Sequence, residues 1–359
     1  MRILIATDAW TPQINGVVRT YENVRRELER SGHPVTILSP SQFATLPCPG
    51  YPEIRLALPR LAHVCDHVLR SGAEHVHIAT EGPIGWTTRA VCLRHGVRFT
   101  TSFHTRFPEY IEAYTGLPAG ISYAVQRRFH RSSIGTFVAT RSLKADLERR
   151  GFDRLMLWSR GVDTLQFRPR DCAGAKPQQP TFLYVGRISR EKNVETFLKL
   201  NLPGRKVVVG DGPLLPALRA RYPQADFKGA KTGEALAVEY ANADVFVFPS
   251  RTDTFGLVML EAMASGLPVA AYPVMGPVDV VTHGVTGILS DDLQAAALAA
   301  LSLDPATVRA EAKRHDWSRV GARFLDLIRE ARRASETIRS TAKATHGASD
   351  VRRSPKPVA

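Results

Sequence analysis

The sequence predicts an α/β chain in which two parallel-sheet domains face each other across a cleft. Three observations predict it. Short apolar runs alternate with amphipathic helical stretches through residues 1–170, a proline-bounded stretch from Pro169 to Pro180 breaks the pattern, and the same alternation restarts at Thr181. At 359 residues the chain also exceeds what one hydrophobic core organises, so two domains are the default.

In the first domain, residues 1–170, apolar runs at 3–6, 35–38, 75–78, 99–102 and 135–139 read as strands. Helical periodicity at 16–31, 86–95 and 141–150 separates them, and Arg160-Gly-Val-Asp163 forms the last turn. Residues 169–180 read as a linker. In the second domain, residues 171–316, strands are expected at 181–185, 206–209, 226–227, 244–248 and 268–271, with helices at 193–200, 214–221, 233–241, 256–265 and 292–303. Asp316-Trp317 opens a final helix to about residue 337, expected to cross back to the first domain. Residues 338–359, rich in Ser, Lys, Arg and Pro, read as a basic disordered tail.

An apolar fraction of 44% and a charged fraction of 23% describe an ordinary globular chain and exclude a wholly disordered or fibrous one. Cys48, Cys65, Cys92 and Cys172 show neither C-x-x-C pairing nor His partners at finger spacing, so a reducing cytosol is expected and a structural zinc site is not. The start, Arg2-Ile-Leu-Ile-Ala-Thr-Asp8, is too short an apolar run for a signal peptide, and no run approaches a membrane span. The net charge of +14 sits in the first half and the tail: residues 1–170 carry 23 Lys and Arg against 14 Asp and Glu, and 317–359 carry 10 against 4. A nucleic acid, an anionic membrane or a phosphorylated substrate could each use such a surplus. The chain has no helix-turn-helix, aromatic RNA platform or zinc motif, which sets the nucleic-acid reading aside.

Gly186-Arg-Ile-Ser-Arg-Glu-Lys192-Asn193 follows a strand and enters a helix, so Arg187 and Lys192 can both reach a diphosphate beside helix amides. Asp253-Thr-Phe-Gly-Leu-Val-Met-Leu-Glu261 follows another strand. There the amides of Phe255, Gly256 and Leu257 form an anion nest, and the carboxylates of Asp253 and Glu261 are expected to face one cleft and to suit polyol hydroxyls. Either carboxylate alone reads equally well as a cap or a surface residue. Asn15-Gly16 lies in the first strand–helix loop, where Gly16 lets the backbone press on a ligand. His104 follows a strand and is expected to point into the cleft, although a lone histidine is more often structural. Arg160, Asp211 and Lys228 are further donor contacts to test, with the base expected near Phe227 to Lys231. Walker A, G-x-S-x-G and H-E-x-x-H motifs are absent, as is a dinucleotide glycine fingerprint after the first strand.

Together these residues resemble the retaining GT-B glycosyltransferases of family 4, the group 1 glycosyltransferases, over nearly all of residues 1–335. The resemblance implies that Arg187 and Lys192 bind the donor diphosphate and that Asp253 and Glu261 stand for a Glu-x(7)-Glu pair, with Asp at the first place. It places Gly16 at the glycine after the first strand and His104 in the sugar pocket. The wording Thr-Asp-Thr-Phe-Gly, Asn-Gly-Val-Val and Ser-Arg-Gly-Val-Asp is most similar to bacterial members that glycosylate lipids, such as diacylglycerol glucosyl- and glucuronosyltransferases.

That resemblance implies transfer of a hexose or hexuronic acid from a UDP-sugar to diacylglycerol with retention, and a GDP-mannose-dependent mannosyltransferase is the alternative. No metal and no cofactor are expected, since the donor is a co-substrate and no D-x-D cluster is apparent. Residues 107–133 mix Tyr110, Ile111, Tyr114, Leu117, Ile121, Tyr123 and Phe129 with Arg127, Arg128, His130 and Arg131, as an interfacial amphipathic helix would. A core-facing helix with a solvated basic side fits that pattern equally. The expected location is the cytoplasm, peripherally at the inner face of the cell membrane, and the sequence carries no signal for oligomeric state.

Overall fold

Apolar runs of three to five residues with no polar face form strands only where helices cover both sides, and the chain builds two such sheets. The computed structural model describes the chain apart from residues 14, 49–50, 110–111, 113–115, 171–178 and 351–359; of 48, 51–54 and 338–350 it describes the backbone alone. Most of the expected linker therefore lies outside the described residues.

The first domain opens with β1 (Ile3–Ala6), α1 (Gly16–Arg30) and β2 (Val35–Leu38). An antiparallel pair, β3 (Thr45–Cys48) and β4 (Tyr51–Ala57), follows, then α2 (Leu61–Arg70), β5 (His75–Ile78), α3 (Pro83–Arg94) and β6 (Phe99–Phe103). The domain continues through α4 (Ala119–His130), β7 (Thr136–Val138), α5 (Arg141–Arg149) and β8 (Leu155–Leu157). Its sheet runs β2-β1-β5-β6-β7-β8 with every pair parallel.

The second domain begins with β9 (Thr181–Val185), α6 (Val194–Lys199), β10 (Arg205–Val209), α7 (Leu215–Arg221), β11 (Asp226–Gly229) and α8 (Gly233–Ala241). It continues with β12 (Val245–Phe248), α9 (Leu257–Ala264), β13 (Val269–Ala271), α10 (Pro277–Val280), β14 (Gly287–Leu289), α11 (Leu293–Ala300) and α12 (Pro305–Ala312). This sheet runs β11-β10-β9-β12-β13-β14, again parallel throughout. In both sheets the strand order reverses beside the first strand, which is where such folds leave a crevice.

The last helix, α13 (Trp317–Asp350), packs on the first domain rather than the second. Trp317, Val320, Phe324 and Ile328 join Ile3, Ile5, Tyr21, Val24 and Trp158 in one core, and the Trp158 indole donates to the Val320 carbonyl at 3.2 Å. A Cβ at Gly321 would lie 2.8 Å from Glu27 Cβ, so a glycine lets α13 approach α1 closely.

Two expectations are corrected. The helix is longer than expected: the backbone is helical past residue 337 to Asp350, and 351–359 lies outside the described residues. Extending an existing helix costs little per residue, and the next proline is Pro355. Nor do residues 107–133 form one interfacial helix. Helical structure at 107–109 is separate from α4, and α4 turns Tyr123 and Phe129 into the core, leaving Ile121 and Val125 exposed. Tyr110, Ile111 and Tyr114 lie outside the described residues.

Phe324 is fully buried against Trp158 and Phe137, with ring centroids 4.9 and 5.5 Å away. Phe324→Ala is expected to lower first-domain stability by about 3–5 kcal/mol in denaturant unfolding; a loss under about 1 kcal/mol would mean that α13 does not complete that core.

Candidate functional site

The second-domain wall of the crevice is built where loops leave β9, β10 and β12. Gly186 and Gly210 let two loops meet backbone to backbone: a Cβ at Gly210, φ +146°, would sit 1.9 Å from the Gly186 carbonyl oxygen. The Asp211 carbonyl accepts from Ile188 N at 2.8 Å and its carboxylate from Gly212 N at 2.7 Å. Asp211 thus acts locally on the loop, with its side chain exposed.

Arg187 is half-buried, and its carbonyl accepts the Tyr184 hydroxyl at 2.8 Å. A short 3₁₀ turn over Arg190–Lys192 ends at Asn193 in the left-handed region, φ 55°, and Asn193 is held by the Pro249 carbonyl. This turn aims Lys192 at Asp253, with Nζ 2.5 Å from Oδ1. The other Asp253 oxygen is buried and has no hydrogen-bond partner among the described residues.

Gly256 heads α9 with φ +83°; a Cβ there would meet Met259 Cε at 2.7 Å and Phe248 Cζ at 3.1 Å. No side chain caps the first turn; the Gly256 carbonyl takes the Met259 amide at 3.0 Å, and the amides before it can meet an external anion. Phe255 is buried in the second core, and Leu257 reaches the first domain, where a Cβ at Gly16 would lie 3.4 Å from Leu257 Cδ1.

Asp253 and Glu261 take different partners. Glu261, 6% exposed, accepts Arg19 Nη1 from α1 at 2.7 Å and the Tyr240 hydroxyl at 2.9 Å. Burial and the adjacent carboxylate raise the Tyr240 hydroxyl well above its usual value. Asn15 caps α1, its carboxamide oxygen accepting Val17 N and Val18 N at 3.0 Å each. Lys228 pairs with Asp226 at 2.7 Å on an exposed rim, and in the expected base region Lys231 pairs with Glu239 at 2.5 Å. Between α1 and α8 a cavity of about 340 Å³ is lined by Arg19, Glu22, Thr232, Gly233 and Glu261.

The first-domain wall centres on His104. Arg160 Nη2 lies 2.8 Å from His104 Nδ1, and a guanidinium can only donate, so Nδ1 accepts and Nε2 carries the proton. That Nε2–H points at the Tyr21 hydroxyl, 3.0 Å away. Both ring nitrogens are therefore engaged, and the ring offers the crevice no free one. Burial first, then the Arg160 charge, lowers His104 well below the usual histidine value and keeps it neutral. Its carbonyl faces across the crevice and accepts Thr254 Oγ1 at 2.7 Å. Behind it, Tyr21 reaches His77 at 2.8 Å and Ser102 at 2.9 Å, and Thr100 Oγ1 lies 2.8 Å from both His77 and His75.

Sequence reasoning missed Arg19, Tyr21, Tyr240 and His77. Arg19 carried a usable signal, lying in the first turn of the helix that starts at Gly16; Tyr21 sits on the same helix, but its partners, like those of Tyr240 and His77, are set by tertiary packing.

Among the described residues no group of three or more His, Cys, Asp or Glu is arranged to hold a metal. His75, lowered to about 3, and His77 and His104, also lowered by burial, are neutral when folded and take up protons when unfolded below pH 6.5. Stability is thus complete above pH 6.5 and falls as pH drops, by up to about 1.4 kcal/mol per pH unit for each ring. Unfolding measured between pH 7 and 5 is expected to show this slope, and a flat profile contradicts the neutral network.

Residues 14–166 match the family described as Glycosyltransferase Family 4, and residues 179–303 that described as Glycosyl transferases group 1. The sulfoquinovosyl transferase of Arabidopsis thaliana is 30% identical over 77% of this chain, which spans 61% of that protein's length. A GDP-mannose-dependent alpha-mannosyltransferase of Mycobacterium tuberculosis is 30% identical over 80% of this chain and 83% of its own. The alpha-monoglucosyldiacylglycerol synthase of Streptococcus pneumoniae is 24% identical over 76% and 71%. In fold, the chain is similar to a sucrose-phosphate synthase from Thermosynechococcus elongatus, with TM-score 0.75, 22% identity, and coverage of 93% of this chain and 99% of that one.

Proposed function

The chain belongs to the group 1, or family 4, glycosyltransferases, a hexosyltransferase of GT-B fold, and on that premise we propose that it moves a hexose or hexuronic acid from a UDP-sugar to diacylglycerol. The observation that carries the donor half is the convergence of Lys192, the uncapped amides after Gly256 and the paired Asp253 on one side of the crevice, opposite the His104 carbonyl.

As the bond from the sugar's C1 to the diphosphate breaks, negative charge grows on the leaving phosphate. Arg187, Lys192 and the amides of Phe255, Gly256 and Leu257 are assigned to that charge; one such preorganised donor is typically worth about 2.7–4 kcal/mol. In this reading these groups supply the positive charge the step needs, and neither a metal nor a cofactor is assigned. Glu261 is given to donor hydroxyls; Arg19 now holds that carboxylate and must yield it, and the cavity beside it suits the nucleoside. His104 serves through its carbonyl and its position, since both ring nitrogens are engaged.

The acceptor half is supported by the streptococcal relative's name and by α4. Ile121 and Val125 are exposed one turn apart on α4, the exposed Leu117 lies in the loop just before it, and Arg128 and Arg131 follow. An apolar stripe ending in cations fits an anionic bilayer surface, where each basic residue contributes about 1 kcal/mol. No helix among the described residues is long and apolar enough to cross a membrane. We assign the enzyme to the inner face of the cell membrane, held peripherally.

A second reading, mannosyl transfer from GDP-mannose to a lipid or soluble glycan, is favoured by the mycobacterial relative, 83% of whose length is covered. Incubation with diacylglycerol and each of UDP-glucose, UDP-glucuronate, UDP-galactose and GDP-mannose, followed by lipid chromatography, separates the readings. A glycolipid from UDP-glucose or UDP-glucuronate is the expected product. A product from GDP-mannose alone establishes the second reading, and failure to float with anionic vesicles removes the lipid acceptor.

A further inference from the structure

Arg160 is 4% exposed, yet its partners among the described residues are all neutral. Its guanidinium donates to His104 Nδ1 at 2.8 Å, to the Trp158 carbonyl at 2.8 Å and to the Ser159 carbonyl at 3.4 Å, and lies 4.6 Å from the Trp158 ring centroid. Among the described residues no carboxylate stands within ion-pair distance of it, whereas the half-buried Arg19 and Arg106 each meet a glutamate. Burying a cation without a counter-charge is costly, and the neutral histidines beside it supply none. The cost is visible in the guanidinium itself, which burial draws down to about 10.

The place of this cation is as informative as its isolation. Arg160 holds His104, whose carbonyl takes the Thr254 hydroxyl from the opposite wall. Thr254 adjoins Asp253, whose inner oxygen is buried without a partner among the described residues. Arg160 therefore stands across the crevice from the turn assigned above to the diphosphate and sugar. The leaving diphosphate has cations of its own in Arg187 and Lys192, and diacylglycerol carries no charge. The remaining group that can bring an anion to this wall is the sugar being transferred.

We infer that Arg160 is a specificity-determining residue that recognises an acidic group on the transferred sugar, so that the preferred donor is a nucleotide-activated hexose bearing a carboxylate or sulfonate. A guanidinium accepts either group through forked, charge-assisted hydrogen bonds, and a neutral hydroxymethyl in the same place leaves the buried cation uncompensated. This rests on the donor reading above, in which the sugar lies between the Asp253–Leu257 turn and the His104 wall.

Calorimetric titration of the full chain without acceptor tests it, using UDP, UDP-glucose and UDP-glucuronate, and in parallel GDP, GDP-mannose and GDP-mannuronate. In whichever series binds, the acidic donor is expected to bind about tenfold to a hundredfold more tightly than the neutral one. Arg160→Gln is expected to erase that preference and leave the nucleoside diphosphate's affinity unchanged. Equal affinities for acidic and neutral donors in the wild type overturn the inference, and this comparison needs no variant to fold. Equal weakening of all three ligands by Arg160→Gln also overturns it, assigning the cation to the diphosphate. Binding of neither series strikes the donor reading itself and takes this inference with it.

Discussion

The left-handed turn at Gly256 is the constraint on which the crevice depends. β12 ends in the buried Phe248 and α9 begins at Leu257, and the chain between them must reverse against Phe248 and Met259 where no Cβ fits. Because it does, Asp253 comes to Lys192, Thr254 to the His104 carbonyl and Leu257 to Gly16. One backbone conformation, open to glycine at little cost, thus sets the second-domain wall and its principal contacts with the first.

The two ion pairs at this crevice have a common form. Lys192 is neutralised by Asp253, and Glu261 by Arg19. In the proposed reaction each charged group has another claimant: the diphosphate for Lys192, donor hydroxyls for Glu261. Charges that pair with each other avoid the penalty of standing alone, and a ligand of the right charge pattern exchanges for them. Arg160 departs from this form, since among the described residues no counter-charge meets it.

The two-sheet architecture was legible because β1, β9 and β12 are short apolar runs that alternate with helical stretches, the pattern of doubly covered parallel strands. The β3–β4 pair was not legible, since Pro47, Pro49 and Pro52 disguise it as loop. The extension of α13 to Asp350 was hidden by a polar, basic composition that also suits disorder. At the site, local motifs were legible where one segment carries the geometry, as in the Lys192 and Gly256 turns. Tyr240 meets Glu261 from α8, and Tyr21 fixes the His104 ring from α1; such meetings follow from tertiary packing alone.

In the proposed reaction a nucleoside diphosphate takes Lys192 over from Asp253. A double-mutant cycle on UDP affinity, with Lys192→Ala, Asp253→Asn and the pair, tests it most directly. If the exchange occurs, Lys192→Ala weakens UDP binding about tenfold or more, Asp253→Asn does not weaken it, and the two effects fail to add by about 1 kcal/mol or more. If Lys192→Ala leaves UDP affinity unchanged, Lys192 is a structural partner of Asp253 and the claim is wrong.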